Sequence, residues 1–319
     1  MMSHIHLHQG ASESLWISSA LIFALLAYLR GWLRLRRHEH DHGFHENAEG
    51  WRAGSFVFGL SFIWIATASP LAALDHELLT AHMVQHLLLM TFAPPLILLG
   101  MPRELLAHGF SRRFLQTSAL PWQRMQQFAR LVTHPALCWF AAAVTLIVWH
   151  IPWVFMLGMR SQMWHGVEQA SFLASGLLFW WPVVRPWPSV LRWPELSILL
   201  YLFLATLPCD ILSGFLVFCD RVVYPVFLSS RQSFRLSALE DQQCAGALMW
   251  TCVTVVYLIA GTVFTARLLS PHRSPDRTEE LAFPRFDSQR SAVGHADSQE
   301  LDRQKLDPHR IDPLRVKAV

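Results

Sequence analysis

The stretch LLTAHMVQHLLLMTFAPPLILLG, from Leu78 to Gly100, decides how the rest of the chain is read. It is apolar over a length that crosses a hydrocarbon core of about 30 Å, yet it carries His82 and His86. Imidazoles at i and i+4 share one helix face, roughly 6 Å apart along the axis, so both can reach one small ion. A polar ring at that depth needs a partner, which makes the pair a functional-site expectation.

Working outward, comparable apolar runs recur at 15–34, 54–74, 79–100, 135–156, 166–184, 195–218 and 244–268. The 319 residues are 53% hydrophobic and 15% charged, a balance foreign to a soluble domain. The expected fold class is all-α, a polytopic membrane helix bundle of about seven transmembrane helices. Basic residues near helix ends stay cytoplasmic. Arg30 to Arg37 and Arg52, then Arg103 to Arg130, then Arg185 and Arg192 mark one set of flanks, whereas the opposite set has few. This predicts the N-terminus outside and the C-terminus cytoplasmic. The basic cluster follows the first apolar run instead of preceding it, so that run is expected to stay as an anchor. The expected organisation is an outer arm over 1–14, a transmembrane domain over 15–269, and a disordered cytoplasmic tail over 270–319 that is too polar to bury a core. The net charge of +3 is accounted for by the cytoplasmic flanks and calls for no nucleic acid.

Placed by depth, the unusual polar residues gather toward the outer side: His82 and His86, His150, His165 and Glu168, and Glu240 to Gln243. Several polar groups at one depth satisfy each other, or a metal, in a shared cavity. His82, His86, His150 and His165 are therefore the expected metal ligands, with Glu168, Asp241 and Gln242 as partners that orient the rings. Met156, Met159 and Met163, read as part of a short outer loop, add thioethers, and thioether with imidazole suits copper, Cu(I) above all. His4, His6 and His8 read either as a metal-collecting arm or as a solvated tail. His38, His40, His42 and His45 form a separate cytoplasmic tract. Trp149, Trp153, Trp180 and Trp181 suit the membrane interfaces. Of the five cysteines, only Cys219 and Cys244 are placed to bridge.

The pair has the spacing of a zinc-protease helix, but Met83 stands where the general base would be. No Gly-rich phosphate loop or Gly-x-Ser-x-Gly elbow is present. The expectation is a protein that is not an enzyme.

At these residues the chain resembles the bacterial CtaG-type cytochrome c oxidase assembly factor family. The resemblance is carried by Ser69-Pro70-Leu71, Ala81 to Met90, Ala93 to Leu96 and Gly100-Met101-Pro102. It continues through His134-Pro135, Trp149-His150-Ile151-Pro152, His165 to Glu168, Gly176 to Pro182, Asp241 to Gly246 and Met249-Trp250. It implies a seven-helix protein of the bacterial plasma (inner) membrane that helps supply copper to the CuB centre of the oxidase catalytic subunit, with that subunit or other assembly factors as partners. One departure falls at Gln169, where the family pattern often carries a His after the Glu; His165 or Glu168 would take over there. Two rival classes remain. One is a haem-binding membrane oxidoreductase using His150 with His82 or His86. The other is a metal or proton transporter relaying through Asp210, against which the lack of an inverted repeat counts.

Overall fold

The computed structural model describes residues 2–40, 50–101, 131–184, 195–228 and 236–270, with side chains of the first segment described over 14–33. Among the described residues every regular element is helical. We number them α1 (Met2–His40), α2 (Gly50–Ala68), α3 (Leu79–Leu87), α4 (Ala93–Gly100), α5 (Pro135–His150), α6 (Pro152–Arg160), α7 (Gln162–Val184), α8 (Glu195–Phe218) and α9 (Ala238–Leu269). Short 3-10 turns cover Pro70–Leu74 and Pro225–Leu228, and a π-helical turn, Leu88–Phe92, joins α3 to α4. The bundle forms one unit, Met1–Leu268.

Proline chemistry shapes the helices that carry the histidines. Pro94 and Pro95 lack the N–H groups that would bond the carbonyls of Met90 and Thr91, and the π turn absorbs that defect within a continuous span. Gly176 of α7 lies against this turn; a Cβ there would stand 2.7 Å from the Met90 carbonyl oxygen. Its absence lets α7 close on α3 and α4. On the far side of α4, Tyr28 of α1 stacks on Phe56 at 3.9 Å and donates to the Gly100 carbonyl at 2.7 Å, so α1, α2 and α4 are tied together.

Pro152 has a larger effect than its placement near a helix end suggested. Ile151, the residue before it, is extended (φ −67°, ψ 125°), as the proline ring demands of its neighbour. The expected span 135–156 is therefore broken, and α6 leaves α5 at 77°. Met156 and Met159, expected in a loop, lie on α6.

Among the described residues, five helical stretches are long and apolar enough to cross a membrane: Ser14–Leu33, Gly50–Leu74, Leu79–Gly100, Leu196–Phe218 and Ala238–Ala266. The bent α5–α6 pair makes a sixth if it counts as one span. The 23-residue α7 does not join them, because Gln162, His165, Glu168 and Gln169 make its first two turns polar. Among the described residues the chain is thus an all-helical membrane protein with five to six candidate spans.

Burial corrects two further expectations. Trp149 and Trp180 are core residues, 7% and 3% exposed. The Trp149 indole donates to the Ser171 hydroxyl at 2.7 Å instead of meeting an interface. Trp153, 71% exposed, fits its expected place. Cys219 and Cys244 do not bridge; all five thiols are free. Gly246 does allow close approach: a Cβ there would meet Leu216 and the Ser213 carbonyl oxygen at 3.0 Å. The tract 102–130, residues 41–49 and the tail from 271 lie outside the described residues, as do the side chains of His4, His6, His8, His38 and His40.

Candidate metal centre

On α3 the four-residue spacing places His82 and His86 on the face turned toward α7, with ring centroids 4.4 Å apart. On α7, His165 and Glu168 are one turn apart and face back. The Glu168 carboxylate is the hub. One oxygen, Oε1, lies 3.4 Å from His82 Nε2 and 3.3 Å from His86 Nε2; the other, Oε2, lies 3.3 Å from His165 Nδ1. All four side chains are buried, Glu168 and His82 completely.

A second carboxylate closes the side nearer the Pro70–Leu74 turn. Asp75, in the turn after Pro70–Leu74, places Oδ2 at 3.0 Å from His165 Nε2 and accepts from Gln85 Nε2 at 3.3 Å. Gln169 reaches His165 Nε2 at 2.9 Å and Gln85 Oε1 at 3.5 Å. Burial works to raise the Asp75 carboxyl, but the His165 hydrogen bond and the neighbouring imidazoles of His76, His165 and His82 prevail and hold it below its ordinary value. Two carboxylates in so dry a pocket require positive charge beside them. Protonated imidazoles or a metal cation would each supply it.

Three features favour a cation. Both ring nitrogens of His82 and of His86, both Glu168 oxygens, and His165 Nδ1 are buried and make no hydrogen bond, an unusual concentration of unsatisfied groups. The separations of 3.3 and 3.4 Å are long for a charge-assisted hydrogen bond. They match the spacing of about 3.3 Å between neighbouring ligands of a tetrahedral ion with bonds of about 2.0–2.1 Å. Finally, Gly158 of α6 makes room for the hub: a Cβ there would stand 2.8 Å from Glu168 Oε2. Two overlapping donor groups result, His82 with His86 and Glu168, and Asp75 with His82 and His165.

His150 belongs to neither group. Its ring centroid is 5.9 Å from that of His86. Nδ1 lies 2.7 Å from the Leu146 carbonyl oxygen, so Nδ1 carries the proton and Nε2 keeps its lone pair. That Nε2 is buried without a hydrogen-bond partner. Tyr224 donates to the His150 carbonyl at 2.9 Å and fixes the end of α5.

The expected orienting residues act differently. Asp241 touches no ring. Its carboxylate accepts from the backbone N–H groups of Leu79 and Thr80 at 2.6 and 3.1 Å and from the Thr80 hydroxyl at 2.6 Å. Leu78, at the N-cap of α3, has no side chain to do this. Asp241 of α9 thus caps, from another helix, the helix that holds His82 and His86. Gln242 accepts from Val223 N–H at 2.7 Å and bonds the Arg221 and Leu216 carbonyls, bracing the connection before α9. Glu168, expected as a helper, sits at the centre. Met159 packs in an apolar cluster with Leu79 and Met83, and Met163 is 68% exposed; the converging donors are nitrogen and oxygen. Asp210 lies in neither donor group.

Asp75, Gln85 and Gly158 were not singled out from sequence. Asp75 did carry a signal: it is an acid in a connection between two apolar runs with no Lys or Arg from 68 to 81 to neutralise it. Gly158 carried none, since its role depends on a contact between α6 and α7.

The model of the cytochrome c oxidase caa3 assembly factor family (Caa3_CtaG) matches residues 26–280. Uncharacterized proteins of Mycobacterium bovis and Mycobacterium tuberculosis are each 25% identical to the chain over 263 residues, covering 77% of it and 38% of their own length. One of Mycobacterium leprae is 23% identical over 257 residues, covering 77% and 37%. The chain therefore spans well under half the length of these relatives. No solved structure matches it. With the family match running from within α1 past the end of α9 and enclosing every residue of the buried cluster, the chain belongs to the cytochrome c oxidase caa3 assembly factor family.

Proposed function

We propose that the protein serves haem-copper oxidase assembly by holding a copper ion as cargo among His82, His86 and Glu168, for delivery to the CuB centre of the catalytic subunit. It works as a carrier and catalyses no reaction of its own. The chain crosses the bacterial plasma membrane seven times, with α7 as the polar span, the N-terminus outside and the C-terminus in the cytoplasm. The observation that carries this reading is the Glu168 hub, where unsatisfied imidazole nitrogens stand at ligand spacing around one carboxylate oxygen. Three donors leave a position for an incoming ligand, as a carrier that must release its ion requires.

The donor chemistry modifies the copper state. Two imidazoles and a carboxylate suit a divalent ion better than Cu(I), which prefers thioethers and thiolates. Cu(II) is the form this set favours.

Haem meets an obstacle at the pair itself. The cavity beside His86, bounded by Met83, Phe172 and Leu146, measures about 50 Å³, and Phe172 stacks on His86 at 3.9 Å; a porphyrin does not fit there. His150 also borders an apolar groove of about 1060 Å³ between α5 and α8, a lipid-facing surface against which a helix of the oxidase subunit would lie at the moment of transfer.

The test is made in cells lacking the chromosomal gene and complemented with variants. Wild-type protein restores oxidase activity and the copper content of the purified oxidase, and the double variant His82→Ala/His86→Ala restores haem incorporation without copper. Full copper content with the double variant would contradict the reading.

A further inference from the structure

The imidazoles form a line that starts at the surface. His76, with half its side chain exposed, approaches Asp75 Oδ1 at 3.7 Å. Ring centroids then run from His76 to His165 at 6.0 Å, from His165 to His82 at 5.7 Å, from His82 to His86 at 4.4 Å, and from His86 to His150 at 5.9 Å. Exposure falls from 52% at the His76 side chain to 8% at His165 and none at His82. Along this line stand two donor sets of identical composition, each with two imidazoles and one carboxylate, and they share His82. Asp75 Oδ1 is buried without a hydrogen-bond partner, as are both nitrogens of His82.

We propose that Asp75, His82 and His165 form a second, outer ion position that receives a divalent cation by way of His76 and passes it to His86 and Glu168, with His82 bound throughout. This rests on the cargo-holding reading above and adds its entry route. The transfer is a ligand exchange. Bonds from Asp75 oxygen and His165 nitrogen break as bonds to Glu168 oxygen and His86 nitrogen form. One carboxylate and one neutral imidazole replace their like, so no proton or electron has to be supplied, and the ion keeps one bond to protein at every stage. The shared ligand makes the two positions alternatives, so one ion is held at a time. Gln85 and Gln169, both against the Asp75–His165 pair, hold the outer set in place; neither is needed to bind the ion.

The test uses the full chain, purified in detergent, freed of metal with a chelator and mixed with Cu(II). Loading is followed by quenching of tryptophan fluorescence, retained copper by metal analysis, and its surroundings by electron paramagnetic resonance. Wild-type protein retains one ion. Asp75→Asn retains one ion with the wild-type spectrum but loads at least tenfold more slowly, and His76→Ala slows loading without changing the amount bound. Glu168→Gln retains an ion with a different spectrum, and adding Asp75→Asn removes it. Wild-type loading rates in both Asp75→Asn and His76→Ala would overturn the outer position while leaving the inner one intact; these two variants decide the matter even if Glu168→Gln fails to fold. A wild-type protein that retains no ion would instead overturn the cargo reading on which this rests.

Discussion

The two ends of α7 are built on opposite terms. Toward its C-terminus, Phe179 stacks on Tyr201 at 5.0 Å and on Tyr257 at 5.4 Å, and Tyr201 donates to the Phe179 carbonyl at 2.8 Å. That end is held by contact area and by a hydrogen bond reaching the helix backbone. Toward its N-terminus, His165 and Glu168 are also buried, yet the Glu168 carboxylate meets the imidazoles of His82 and His86 on α3 and of His165 on its own helix at 3.3–3.4 Å, long for charge-assisted hydrogen bonds. A helix that needed only to pack would repeat the first arrangement along its length. The second gathers the unsatisfied ring nitrogens of His82 and His86, His165 Nδ1 and both Glu168 oxygens in one place, where the first leaves the Trp180 indole N–H; that concentration costs stability and is the expected mark of a site built for something other than packing.

Substitutions at the two ends should separate along the same line. Glu168→Gln keeps the shape and removes the charge; made in the Asp75→Asn background, where the inner position alone binds, it is expected to lower copper affinity by more than the roughly 100-fold typical of outer partners, read by equilibrium dialysis. Gly158→Ala puts a methyl group 2.8 Å from Glu168 Oε2, closer than van der Waals contact allows; copper binding should weaken roughly tenfold, with about 1–3 kcal/mol of destabilisation from overpacking. Gly176→Ala forces α7 off the π turn and should cost about 1–3 kcal/mol in thermal unfolding, with a smaller change in affinity than Gly158→Ala. Asp241→Ala removes the trans cap of α3 and should cost about 0.5–2 kcal/mol, with copper affinity reduced only as far as α3 frays. At the aromatic end, Tyr201→Phe should cost about 1 kcal/mol and leave copper binding at the wild-type value. Equal copper loss in Tyr201→Phe and Gly158→Ala would erase the distinction between the two ends.

The helices and the face bearing His82 and His86 were legible because apolar run length and i, i+4 spacing are local properties. The break after His150 was written in the sequence as Ile-Pro, but an apolar count is blind to the conformational demand that proline makes on Ile151. Depth alone grouped His150 with the pair, whereas its ring lies 5.9 Å beyond that of His86 and outside both donor groups. Asp75 resembles any solvated turn residue until the chain folds the turn over His165. Asp241 illustrates the same limit: its depth beside the cluster was visible, but that its carboxylate meets the backbone of Leu79 and Thr80 and touches no imidazole depends on how α9 meets α3.

The proposed carrier role turns on whether Glu168 and the α3 histidines hold one metal ion. Metal analysis with an absorption spectrum on full-length protein, purified in detergent from copper-supplemented cells, tests it directly against His82→Ala/His86→Ala. About one copper per wild-type chain is expected, none in the double variant, and no Soret band. Copper retained in full by the double variant, or a haem spectrum in the wild type, would contradict it.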